Sequence, residues 1–174
     1  MKQRELRKFK WFWAWQDDKE EAWLRQMAQE GWHLISMFPT TYTFSSGEPH
    51  DDVYRLDYFN LKTEEFEEYV QIFNDGGWEY VCSGSGWHYF RRPLESGVSL
   101  EIYTDAESKV QKYQRLLGYL VLFLPIWVII FSRGILGAYP PLGAVITVFS
   151  AVIMVLWAYA FLKIALRVRE LRRL

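Results

Sequence analysis

The chain has 174 residues and a formal net charge of −1, which fits one or two ordinary domains and lacks the global basic field that would suggest nucleic acid as a partner. The average conceals two opposed halves: residues 1–100 carry 11 Lys and Arg against 17 Asp and Glu, a net of −6, and residues 101–174 carry 9 against 4, a net of +5. Lone Cys82 rules out an internal disulfide and suits a reducing compartment.

Met1 to Lys10 is charged, and the aromatic run after it ends at Gln16-Asp17-Asp18 without a small-residue cleavage site, so no signal peptide is expected. Phe9 to Trp15 reads as a first strand, whose alternation places Trp11, Trp13 and Trp15 on one face. Asp17 is expected to cap a helix, with Glu20 completing an acidic first turn. That helix runs to about Glu30 and presents Trp23, Leu24, Met27 and Ala28 at helical spacing. Gly31 ends it, where a left-handed residue is wanted. Strands follow over Trp32–Phe38 and Tyr42–Ser45. The Gly47–Asp52 stretch then leads into a second set. Its strand is Val53–Phe59, and its helix is capped by Thr63 and striped by Phe66, Tyr69, Val70 and Phe73. Gly77 ends that helix, and strands Trp78–Cys82 and Trp87–Arg91 are joined by the turn Ser83-Gly84-Ser85-Gly86.

Shifted by 46 positions, Trp23–Phe44 lies on Tyr69–Phe90 without a gap, and Gly31-Trp32 falls on Gly77-Trp78. One supersecondary unit used twice is the expected origin of such a pattern. The fold class is therefore α+β: two βαββ repeats (9–45 and 53–91), ferredoxin-like or a duplicated sandwich, with both helices on one face of an antiparallel sheet.

A linking helix is expected over 101–115, opened by a capping box of Thr104 and Glu107. It leads into the uncharged run Leu116–Ser132, which contains Pro125; Ala138–Leu162 is a second uncharged run. Each is long enough to span a bilayer, and the glycines and prolines of Arg133–Pro141 between them make a transmembrane helical hairpin, with spans at 116–132 and 142–162. Lys109, Lys112 and Arg115 precede it and Lys163, Arg167, Arg169, Arg172 and Arg173 follow, whereas Arg133 stands alone at the tip. Both termini are thus expected in the cytoplasm, with the protein in the cell membrane as a multi-pass chain. The basic tail 167–174 reads as a topology signal or as a grip on anionic headgroups.

The motifs FKWFWAW, WLRQMAQEGWHL, YTFSSGEPHDDVYRLD, GWEYVCSGSGWHYFR and EIYTDAESK, in this order over residues 7–115, resemble the bacterial family called domain of unknown function 2812. The resemblance implies a soluble domain followed by a few membrane helices. It brings no established activity and no catalytic residues. The family's usual genomic setting, beside regulators of the PadR type, implies a regulatory or envelope-response role.

His33, His50 and His88 lack the spacing of a metal site, and Ser83-Gly84-Ser85-Gly86 leads into a strand rather than the helix that a phosphate loop needs. Neither metal nor cofactor is expected. Cys82, on a strand, has no base placed beside it by the sequence. The candidate binding surface is Trp11, Trp13, Trp15, Trp32, Trp78, Trp87 and His88, for which two readings stand: core, or a ligand cleft or protein interface. The expected function is a membrane-anchored cytoplasmic binding, sensory or regulatory module. The alternatives are a subunit of a membrane assembly, packing through Gly118, Gly143 and Ala144, and an inner-leaflet enzyme using the histidines and nearby carboxylates. The expected partners are the lipid bilayer and a protein or second copy of the chain, not nucleic acid.

Overall fold

The computed structural model describes residues 4–59, 63–94, 106–132 and 140–172, and the chain divides into two compact units, Met1–Asp105 and Ala106–Leu174. The described residues form a mixed α+β structure with two three-stranded antiparallel sheets and four helices. In the first unit the order is β1 (Glu5–Phe9), α1 (Asp17–Gln29), β2 (Trp32–Phe38), β3 (Thr41–Ser46), β4 (Asp52–Tyr58), α2 (Thr63–Asp75), β5 (Glu79–Gly84) and β6 (Trp87–Pro93). The sheets have the orders β1-β3-β2 and β4-β6-β5. Both bounds of α2 fall 46 positions after those of α1.

The first strand is earlier than its sequence suggests. β1 pairs with β3 from Glu5↔Ser45 to Phe9↔Thr41, and the Lys10 amide then donates to Thr40 O at 2.9 Å. Beyond Thr40 the chain turns toward β2, so residues after Lys10 have no strand to pair with. Trp11, Trp13 and Trp15 therefore do not alternate on a strand; they stack on one another in the β1–α1 connection. Trp11 meets Trp13 edge-on at 5.5 Å, and Trp13 lies parallel to Trp15 at 5.2 Å.

Two helix-terminal expectations fare differently. Gly31 and Gly77 follow the helices with φ of +80° and +79°, the left-handed conformation that glycine adopts without strain. Asp17 is not the cap: Gln16 holds that position, with no side-chain capping bond. Glu20 has turned inward instead, for reasons set out below. Thr104 and the Glu107 side chain of the expected capping box, the bridge 101–105, the Thr63 side chain and the hairpin tip 133–139 lie outside the described residues.

Both helices were expected on one face of a single sheet, but the structure has them on opposite faces of the second sheet. Leu24, Met27 and Ala28 of α1 share a core with Leu34 and Met37 of β2, Tyr42 and Phe44 of β3, Tyr54 and Leu56 of β4, and Tyr89 of β6. The other side of the second sheet carries Val53, Trp78 and Phe90, against which Tyr69 and Phe73 of α2 pack. Strand alternation explains this: successive side chains of β4 and β6 serve opposite cores, and β4 is buried almost throughout. Among the described residues, one face of the first sheet is covered by this core.

The second unit pairs α3 (Ala106–Ser132), which runs on through Pro125, with α4 (Pro140–Leu171). Among the described residues, one stretch, Val148–Leu171, is long and apolar enough to cross a membrane, with a mean hydropathy of 2.1. Val148, Phe149, Val152, Val155 and Leu162 point outward along it.

Candidate functional site

Glu20 lies one and two helical turns before Leu24, Met27 and Ala28, on the stripe that α1 buries. Only 7% of it is exposed. A carboxylate taken from water needs donors, and two phenols supply them. The hydroxyls of Tyr42 and Tyr89 donate to the same oxygen, Oε1, at 2.8 Å and 2.6 Å. Among the described residues no hydrogen bond reaches Oε2. Burial pushes the Glu20 carboxyl above its usual range; the phenol bonds from Tyr89 and Tyr42 oppose that shift, and neighbouring Asp17 adds to it. The same burial and the Glu20 charge push both phenols up, so they remain donors.

Glu20, Tyr42 and Tyr89 form one side of a cavity of about 180 Å³. Asp17, also buried, joins them, and Phe12, Trp13 and Trp87 provide aromatic surface. Lys10 closes the ring, with its ammonium 4.4 Å from the Trp23 ring centre and 5.4 Å from that of Phe12. Cavities that hold drug-sized molecules have volumes of about 300–1,000 Å³, so this one suits something smaller. Its chemistry is an aromatic sleeve with an acidic wall and one carboxylate oxygen left for a donor.

Of the residues singled out in the sequence, only Trp13 and Trp87 meet at this cavity. Trp15 is half-buried against Trp13, and Trp11 is exposed. Trp32 packs on the main core from β2. Trp78 is buried on the far side of the second sheet, beneath the Arg92 guanidinium. His88 alternates with Trp87 on β6 and so faces that same far side, among Phe66, Tyr69 and Tyr80. Trp32, Trp78 and His88 thus pack away from this cavity. The sequence reading missed Phe12, Asp17, Glu20, Tyr42 and Tyr89.

His88 is buried; its Nε2 lies 3.0 Å from Phe59 O, and Nδ1 has no hydrogen-bond partner among the described residues. Nearby, Asp57 is buried and accepts from the Tyr69 hydroxyl at 2.9 Å. Burial holds the His88 imidazole below its usual range. Above about pH 6.5 the ring is neutral folded and unfolded alike and leaves stability unchanged. As pH falls below that, the unfolded chain takes up a proton that the folded chain refuses, and stability drops until the folded imidazole titrates. Chemical denaturation of His88→Leu between pH 6.5 and 5 should show a shallower loss than wild type; equal slopes would exclude this role.

His33 is elsewhere again, with Nε2 2.8 Å from Glu48 O and Nδ1 3.6 Å from an Asp52 carboxylate oxygen; its ring centre is 5.9 Å from that of His50. Among the described residues no three His, Cys, Asp or Glu side chains gather as metal ligands. Cys82 is half-buried, and burial pushes its thiol up to about 12, so at neutral pH it is not a thiolate nucleophile.

A family model described as "Protein of unknown function (DUF2812)" matches residues 16–125. No curated protein and no solved structure matches the chain.

Proposed function

The chain belongs to the family of proteins of unknown function DUF2812, and from that premise we propose a membrane-anchored cytoplasmic binding module whose small-molecule site is the cavity beside Glu20. The observation that carries this reading is a buried carboxylate with one oxygen saturated by two phenols and the other without a donor, at the wall of an aromatic-lined cavity.

The anchor in this reading is a pair of spans, 116–132 and 142–162, joined to the head through the linking segment 101–115 and followed by the basic tail 167–174. The outward apolar side chains of Val148–Leu171 support lipid as its surroundings. The cations flanking the two runs support a cytoplasmic side for both termini. The head is a duplicated βαββ sandwich, a view supported by the 46-residue offset between α1 and α2. Duplication gave two similar units, and only the first placed its helix over a core shared by both sheets.

The test uses the full chain in detergent and a set of small amines, amides and carboxylates. The expected result is that at least one compound raises the unfolding temperature, with a Kd of about 1 mM, as befits a ligand of few atoms. Glu20→Gln, which keeps an acceptor for both phenols, should weaken that binding about tenfold, roughly 1.4 kcal/mol. A set in which nothing binds, or binding that survives both Glu20→Gln and Trp13→Leu, overturns the reading. A second reading, a subunit of a membrane assembly, draws on Gly118: a side chain there would meet nothing within 4 Å, leaving a smooth helix surface for a neighbour.

A further inference from the structure

Three side chains that line the cavity carry full charges when ionised: Lys10, Asp17 and Glu20. One cation against two carboxylates leaves a net of −1. Asp17 and Glu20 are 6% and 7% exposed, so water screens that charge poorly. They stand three residues apart within one turn of α1 and share a face. Like charges so placed repel each other, and a cation between them relieves the strain.

The rest of the wall accepts a cation. Phe12, Trp13 and Trp87 border the space beside the two phenols, and aromatic faces attract a cation within about 6 Å of the ring centre. Lys10 shows that contact here, with its ammonium 4.4 Å from the Trp23 ring centre. Acceptors complete the match. Both phenols donate to Oε1 of Glu20, and among the described residues no hydrogen bond reaches Oε2. Each phenol oxygen also keeps lone pairs that can accept while its proton is donated. The three N–H groups of an ammonium need such a set of acceptors.

We propose, building on the binding reading above, that the cavity selects a compact primary ammonium, its N–H groups on Glu20 and its short alkyl chain among Phe12, Trp13 and Trp87. A carboxylate ligand would meet two buried negative charges. A neutral amide can bond to Oε2 but leaves the charge unmatched. A quaternary ammonium keeps the aromatic contact and has no N–H to offer.

The test titrates the full chain in detergent at pH 8 with propylamine, propionamide, propionate and tetramethylammonium, followed by calorimetry. Propylamine is charged there, since an alkylamine titrates near that of Lys, about 10.4. It should bind at least about tenfold more tightly than propionamide. Propionate should not bind, and tetramethylammonium should bind more weakly than propylamine. Glu20→Gln should erase the preference for amine over amide. Lys10→Met alters an exposed side chain and leaves two carboxylates without a cation in the lining, so it should tighten propylamine several-fold; it decides the matter if Glu20→Gln does not fold.

A pH series adds a signature. The groups facing Glu20 are Asp17 on its own helix, Tyr42 on β3, Tyr89 on β6 and Lys10 after β1, with Cys82 on β5 close enough to feel its charge. Burial holds the unliganded Glu20 carboxyl above its usual range, and a bound cation favours the ionised form. Propylamine should therefore bind more weakly as pH falls from 8 to 5, while propionamide does not. Equal affinity for amine and amide, binding of propionate, or amine affinity indifferent to both pH and Lys10→Met overturns the ammonium assignment and leaves the site standing. So does silence from these four compounds with binding by another of the wider set. Silence from every compound defeats the site itself.

Discussion

Tyr89→Ala should be the most damaging single change in the head, lowering its stability by about 3–5 kcal/mol, the cost of deleting a buried aromatic side chain. The ring is 1% exposed in the core shared by α1 and both sheets, so its loss leaves a cavity where three elements meet. The hydroxyl adds a separate penalty, because it is the closer of the two donors to Glu20. Tyr89→Phe isolates that part. It keeps the ring, leaves Tyr42 as the remaining phenol donor, and should cost about 1.5–3 kcal/mol, the range for one hydrogen bond to a charged group. Combining Tyr89→Phe with Glu20→Gln should cost less than the two single changes added together, since the groups share one network. Urea titration of the full chain in detergent, followed by near-ultraviolet circular dichroism, gives all four values. The network is misread if Tyr89→Phe shifts stability by no more than the ±0.5 kcal/mol or so of an ordinary surface change.

The second large effect is expected at Gly84, where the two sheets approach. A Cβ there would sit 2.5 Å from the Met37 carbonyl oxygen and 3.1 Å from its sulfur. The sulfur belongs to a flexible chain that can move aside, but the oxygen belongs to β2 and cannot move without the strand. Gly84→Val should therefore push β5 from β2 and destabilise the head by about 1–3 kcal/mol or more, as overpacking does. Hydrogen exchange should rise along both strands while the α2 core stays protected. Gly118→Ala serves as the comparison, because a Cβ at that position meets nothing within 4 Å. Equal behaviour of the two variants would show that the sheets do not meet through Gly84.

The pattern of the chain made some of this legible. Helix limits followed from glycine, since only a left-handed residue closes α1 and α2 as Gly31 and Gly77 do. The hairpin expected at Ser83-Gly84-Ser85-Gly86 forms with a tighter turn: Ser83 and Gly84 still belong to β5, and Ser85 and Gly86 alone make the turn, with φ of 53° and 82°. Alternation misled at Trp11, Trp13 and Trp15, because a strand needs a partner as well as a pattern, and β3 gives out at Thr41. The sidedness of α2 was hidden too. Strand β4 reads Val53, Tyr54, Leu56 and Asp57 as all buried, and a strand covered on both faces does not say which helix lies where. Glu20 was within reach. It stands at helical spacing from Leu24, Met27 and Ala28, so the stripe itself declared a buried carboxylate. The acidic first turn offered a simpler explanation for it. Its partners Tyr42 and Tyr89 come from different sheets, and nothing local in the sequence pairs them.

Cys82 offers a built-in stopwatch. Its thiol, the only one in the chain, is half-buried and held protonated far above neutrality, so alkylating reagents must wait for β5 to part from its surroundings. The rate of labelling at low reagent concentration thus reports how often that edge of the head opens. Whatever occupies the cavity would register as a change in that tempo, without any engineered label.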